Sequence, residues 1–206
     1  MDTLKNILVT DIITESLKRT MSYQEYRDLV KQLVIEESTT GNEKTEALAN
    51  YTMLNDRRMK RWDKTLKISE EIKEKVSNFY GNVTWLVITE SWCGDAAHVI
   101  PALNKIAELS QNIELKLVLR DQNEALMDQF LTNGGRSIAK LIMIDNKTGD
   151  VLDTFGPRPT AATKLVTDYK ETHGELTPEF KEDLQSWYNK DKGQNVMSDV
   201  LKMLNL

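Results

Sequence analysis

A β-branched apolar run, Trp85-Leu86-Val87-Ile88-Thr89, passes through Glu90-Ser91-Trp92-Cys93-Gly94-Asp95-Ala96 into a helical pattern that contains Pro101. No other stretch limits the fold as strongly. A strand that turns directly into a helix is the building unit of α/β architecture. The turn carries the only cysteine of the chain, beside a tryptophan. A sulfur at a helix start meets unpaired N–H groups and the positive end of the helix dipole, which favour its thiolate. Asp95 opposes this, because a carboxylate disfavours a neighbouring anion. The sequence therefore predicts a thiol that is mildly activated at most.

Around this unit the punctuation divides the chain. Ser22-Tyr23-Gln24-Glu25 has the spelling of a capping box and precedes Tyr26, Leu29, Val30, Leu33 and Val34 at helical spacing, which predicts a helix over 22–37. Ser38–Asn42 breaks it, and a second helical region with an internal break is expected over 43–79. Within it, Asn55–Arg61 forms a basic cluster, read as a solvated helix face or as an anion or partner site. After Gly81-Asn82 the pattern gives strand 83–89, helix 95–110, strand 113–119, helix 122–132, strand 139–145, a turn at Asn146–Gly149 and strand 151–155. Gly156-Pro157-Arg158-Pro159 cannot continue a ladder, since proline lacks an N–H. A helix follows from Thr160 to about Glu171. A last helical stretch starts at Thr177-Pro178 and breaks at Gly193. This order predicts two parallel crossover pairs, then an antiparallel hairpin, in a mixed sheet with helices on both faces.

Composition narrows the function classes. The chain has 206 residues and a net charge of −5, which disfavours a general nucleic-acid-binding role. It has no apolar run near the length of a membrane span. Met1–Thr10 holds an apolar patch, Ile7-Leu8-Val9, without the basic start or cleavage site of a signal peptide. A single cysteine makes no internal disulfide, which fits a reducing, cytoplasmic setting and leaves an intermolecular disulfide open.

Trp92-Cys93-Gly94-Asp95-Ala96 resembles the Trp-Cys-Gly-Pro-Cys site of thioredoxins. Pro101 falls where that family carries the proline inside its active-site helix. Ile138-Ala139-Lys140-Leu141 resembles the Ile-Pro-Thr-Leu segment around the family's cis-proline, and Gly156 closes the last strand as it does there. The resemblance spans about residues 82 to 171. The WCGDA spelling, with the GGRSI and GPRP loops, is similar to a bacterial thioredoxin-like subfamily with a helical N-terminal extension, whose activity is generally undefined. The resemblance implies a three-layer α/β/α mixed sheet in residues 81–206, including extra C-terminal helices, with residues 1–80 as a helical extension packed on the core. It implies an active face of Trp92, Cys93, Gly94, Asp95, Ala96, Ile138 and Ala139, bordered by Gly156 and Arg158, with Arg136 and Arg158 in loops brought near it. Either arginine would offset Asp95 or bind an anion, or both are ordinary surface residues.

Four departures bear on activity. Ala96 holds the place of the resolving cysteine, Asp95 that of the intervening proline, and Val87 that of a buried aspartate. Ala139 stands where the cis-proline belongs. A cis bond before alanine is disfavoured, so a relaxed, trans Ile138–Ala139 bond is expected. Without a second cysteine, a mixed disulfide on Cys93 needs an external thiol for release. Three readings follow: a redox-inactive or weakly active binding or scaffold module, a monothiol exchange protein acting through Cys93, and, ranked below them, other cysteine chemistry such as peroxide reduction or metal binding. Dithiol protein-disulfide reduction is not expected. Protein or low-molecular-weight thiol partners and a homodimer stay open. No cofactor or metal is expected: Cys93, Asp95 and His98 would fan out from the helix start without an evident fourth ligand. His98 is expected to face solvent.

Overall fold

The computed structural model describes the backbone of residues 2–206 and the side chains of residues 8–206. Met1 and the side chain of Ile7, the first member of the N-terminal apolar patch, lie outside the described residues. In chain order the elements are α1 (Asp2–Leu17), α2 (Tyr23–Ile35), α3 (Glu46–Thr65), α4 (Glu70–Ser77), β1 (Val83–Thr89), α5 (Ala96–Ala107), β2 (Ile113–Leu119), a 3-10 turn (Arg120–Gln122), α6 (Glu124–Gln129), β3 (Lys140–Asp145), β4 (Val151–Phe155), α7 (Thr160–His173), α8 (Pro178–Asp191) and α9 (Gln194–Met203).

The strands form one mixed sheet in the order β2-β1-β3-β4. Central β1 runs parallel to β2 and antiparallel to β3, so that Trp85 faces Leu115 on one side and Met143 on the other. All seven residues of β1 are buried, so both faces of the sheet are covered by helices. Only one parallel crossover pair forms, where the element order predicts two. After β2 the chain has too little regular structure to cross back. The six residues of α6 span about 9 Å at 1.5 Å per residue, against about 23 Å for the seven residues of β2. The chain therefore stays at the end of the sheet where β1 and β2 finish, and β3 must run the opposite way. The helix expected over 122–132 is the 3-10 turn followed by α6.

Local chemistry explains the helices that position the site. The Ser22 side chain accepts from the Glu25 N–H while the Glu25 carboxylate accepts from the Ser22 N–H, completing the capping box of α2. Thr45 and Ser69 cap α3 and α4. Helix α5 is buried nearly all round, including Val99, Ile100, Ala102, Leu103 and Ile106. It packs against α3 on one side and α9 on the other. Tyr26, Val30, Met59 and Val76 join β1, α5 and α9 in one continuous apolar core.

Candidate functional site

Cys93 sits in the turn between β1 and α5 and is only 7% exposed. Its Sγ receives the Ala96 N–H at 3.4 Å and donates to the Ile138 carbonyl at 3.3 Å. The sulfur thus caps the first turn of α5, and Ala96, in the place of a second cysteine, contributes only its N–H. Burial pushes the Cys93 thiol up to about 12, with Asp95 adding to the shift and the N–H groups of Ala96 and Asp95 opposing it. Desolvation outweighs the helix terminus here, and the thiol is neutral at physiological pH.

The Ile138–Ala139 peptide is cis, which corrects the expectation of a relaxed trans loop. Its surroundings define the geometry from two sides. The Ile138 carbonyl receives the Cys93 thiol. Gly156, at φ +110°, lies so close to Ala139 that a Cβ there would meet the Ala139 oxygen at 2.1 Å. Ala139 is buried and takes no side-chain part in a groove.

Asp95 is the N-cap residue of α5, yet its side chain makes no capping bond. It turns to Arg158, whose Nη2 lies 2.7 Å from Oδ2, and to the Tyr188 hydroxyl, which donates to Oδ1 at 2.9 Å. Burial pushes the Asp95 carboxyl upward, against the pull of Arg158 and Tyr188. Of the two candidate arginines, Arg158 is therefore the one that pairs with Asp95. Arg136 is engaged elsewhere, with Asp128 at 2.7 and 2.8 Å and with Glu124 at 3.0 Å.

His98 does not face solvent. It is 4% exposed, covered by α3 and α8, and its ring stacks on Tyr188 at 4.3 Å. Its Nδ1 accepts from Trp62 Nε1 at 2.9 Å, and its Nε2 lies 2.8 Å from Gln185 Oε1. The indole N–H only donates, so Nδ1 carries the lone pair and Nε2 carries the proton. Burial pushes this imidazole down to about 4. Both ring nitrogens are committed, and among the described residues no three His, Cys, Asp or Glu side chains are grouped to hold a metal ion.

A second polar cluster ties the segment before α3 to the turn. The Ser91 hydroxyl lies among those of Thr39, Thr40 and Thr52 at 2.8–3.2 Å, and Asn55 Nδ2 donates to the Ser91 carbonyl. The Asn55–Arg61 cluster is thus not simply a solvated face. Asn55 and Met59 are buried, Asp56 pairs with Arg27, Arg58 donates to Asn55, and Arg61 lies over the Trp62 ring. Trp92 packs beneath Arg120 at 4.9 Å and is half-buried. Val87, where the family has an acid, is fully buried among apolar residues. Sequence reading missed Trp62, Gln185, Tyr188 and Arg58 as neighbours of the turn. A signal was present for His98: the residues around it, Ala96-Ala97 and Val99-Ile100, are apolar on every face, the pattern of a buried helix.

A mixed sheet with helices on both faces and a cysteine turn that leads from the end of β1 into α5 make up a thioredoxin-like fold. A profile described as thioredoxin matches residues 41–170, more than half of the sequence, and the chain belongs to the thioredoxin family. The match begins well before β1 and includes α3. No curated protein matches the chain. Among solved structures, a protein of unknown function, PA1234, from Pseudomonas aeruginosa is 19% identical with a TM-score of 0.59, over 90% of this chain and 98% of that chain. An HIV epitope-scaffold is 18% identical with a TM-score of 0.58, over the same shares. At such identities the likeness is one of fold. Among the described residues no helix is long and apolar enough to cross a membrane.

Proposed function

We propose that the chain is a single-cysteine thioredoxin-fold binding or scaffold module in which Cys93 packs rather than exchanges. The observation that carries this reading is the covered, neutral thiol: Cys93 is 7% exposed, its Sγ is taken up by Ala96 and Ile138, and the sequence has no second cysteine. Thiol–disulfide exchange needs a thiolate with a path to the sulfur it attacks. The docking face proposed for a protein partner, or for a second copy of the chain, is the rim of the turn at Trp92 with the Gly156–Arg158 loop.

The test is incubation of the folded protein with oxidised glutathione at neutral pH, followed by intact mass measurement. The expected result is unmodified protein. A stoichiometric glutathione adduct on Cys93 overturns the reading.

The second reading is monothiol exchange, favoured by one specific contact, the Ala96 N–H directed at Sγ from the start of α5. The Cys93 sulfur would attack the glutathione sulfur of a protein–glutathione mixed disulfide, taking up the glutathione and expelling the protein thiolate. A free glutathione thiol would then attack that sulfur, releasing Cys93 and forming glutathione disulfide. Turnover that is lost in Cys93→Ser supports this second reading.

A further inference from the structure

We propose that the α7–α8 hairpin is a lid over the Cys93–Gly94–Asp95 turn, which opens without unfolding the rest of the molecule and thereby controls access to the sulfur. The hairpin has an apolar cluster of its own, Ala162, Val166, Leu184 and Tyr188, separate from the main core. A unit that keeps its own apolar contacts moves without exposing them.

What holds the hairpin to the turn is mostly polar. The Tyr188 hydroxyl donates to Asp95, the His98 Nε2–H donates to Gln185, and Arg61 of α3 donates to Asn189. Water replaces such bonds at small net cost. The stack of Tyr188 on His98 is the one ring contact across the seam among the described residues.

The hairpin is bounded at its start by a loop whose prolines, Pro157 and Pro159, are buried, and at its end by chain that suits a pivot. It begins after Gly156-Pro157-Arg158-Pro159, where no strand or helix runs. It ends at Lys192-Gly193, two consecutive residues with left-handed backbone at φ +55° and +77°. Gly193 is pressed against Leu66 and Ala102, so this end stays seated on α5 while the rest moves. At the other base the Thr160 N–H is anchored on Asp199 of α9.

The lid covers the turn at Gly94 and Asp95, next to Cys93, whose own side chain packs in the main core. A Cβ on Gly94 would lie 3.8 Å from Gln185 Nε2 on one side and 3.7 Å from Arg58 Nη1 on the other, so the turn is sandwiched between α8 and α3. Burial is the largest cause of the weakened acidity of the Cys93 thiol. Lifting the hairpin hydrates the turn and leaves the sulfur facing the start of α5, which makes the thiol more accessible and more acidic in one movement. The proposal concerns the same covered thiol as the binding reading, but it is tested by access to the sulfur and not by exchange.

The experiment follows alkylation of Cys93 by iodoacetamide in the full chain, at urea concentrations below the unfolding transition, in wild type and in Gln185→Ala/Tyr188→Phe. Cys93 is the only cysteine, so the labelling has one site. Expected are slow wild-type labelling with little urea dependence and roughly tenfold faster labelling in the double variant, the scale set by two lost hydrogen bonds. Hydrogen exchange in that variant loses protection in residues 160–191 only. Labelling that follows global unfolding, with its full urea dependence, overturns the proposal. So does wild-type labelling as fast as that of the unfolded chain. If the double variant does not fold, the urea dependence of the wild type decides alone. An adduct with glutathione disulfide would overturn the binding reading while leaving the lid standing.

Discussion

At the scale of single residues, His98 and Gly156 make the sharpest commitments. With Trp62 donating to Nδ1, protonation of His98 would set two N–H groups against each other in a buried site. Its folded value near 4 lies below the 6.5 of an exposed histidine. The linked stability is therefore complete above about pH 6.5 and is lost as pH falls through about 4, about 3 kcal/mol in all at about 1.4 kcal/mol per unit. An NMR titration of the His98 ring should show no protonation down to pH 5, and a midpoint near that of a free histidine would contradict the buried tautomer. Gly156 combines φ +110° with the close approach to the Ala139 oxygen. Gly156→Ala should cost more than about 3 kcal/mol in urea denaturation, because both the backbone conformation and the space are wrong for a side chain. A cost below about 1 kcal/mol would mean that the loop can yield.

At the scale of elements, α3 is seated on α5 by polar as well as apolar contacts. Trp62 fills the seam and supplies the donor to His98, while Asn55 reaches the carbonyl of Ser91. Trp62→Phe keeps most of the ring volume and removes the N–H, leaving Nδ1 of a buried imidazole without a partner. The expected loss is about 1–3 kcal/mol, the cost of an unsatisfied buried acceptor. Equilibrium urea unfolding checks this, and a neutral result would mean that water takes the place of the indole donor. The α2–α3 pair is secured in the same manner, with the buried Arg27 guanidinium held between Asp56 and Asp63. Each acid keeps some exposure to solvent, so the pair specifies how α2 and α3 face each other more than it adds stability.

For the molecule as a whole, the helical N-terminal half and the strand-bearing half share one core. Tyr26, Val30, Met59 and Val76 belong to the same apolar cluster as Trp85, Leu103 and Met197. Helices on both sides of α5 depend on it for their burial, and α5 on them. The expected consequence is a single cooperative unfolding transition, with tryptophan fluorescence and far-UV circular dichroism coincident. The probes are well distributed, since Trp62, Trp85, Trp92 and Trp187 lie in α3, β1, the turn and α8. A separate early transition carrying the helical signal of residues 1–80 would show two folding units.

Local patterns determined much of the fold. β1, β2 and β4 occupy 83–89, 113–119 and 151–155, the ranges read from apolar runs bounded by Gly, Asn and Asp. The capping box set the start of α2, and Gly193 set the break between α8 and α9. α1 escaped that reading because its apolar residues are spread around the helix and mark no single face. The direction of β3 also escaped it, since it depends on how far α6 and its loops carry the chain through space. The sequence alone placed Cys93 at a strand-to-helix turn beside Trp92 and showed that no second cysteine is present. Only tertiary structure decided that α3 and α8 close over that turn, that Arg158 and not Arg136 answers Asp95, that His98 is buried, and that the Ile138–Ala139 bond is cis. The physical reason is that each of these outcomes rests on partners distant in the chain. Trp62 lies 36 residues from His98, Gln185 lies 87 residues from it, and Tyr188 lies 93 residues from Asp95. Burial by such partners sets the ionisation and access of a thiol that its own neighbours along the chain leave undetermined.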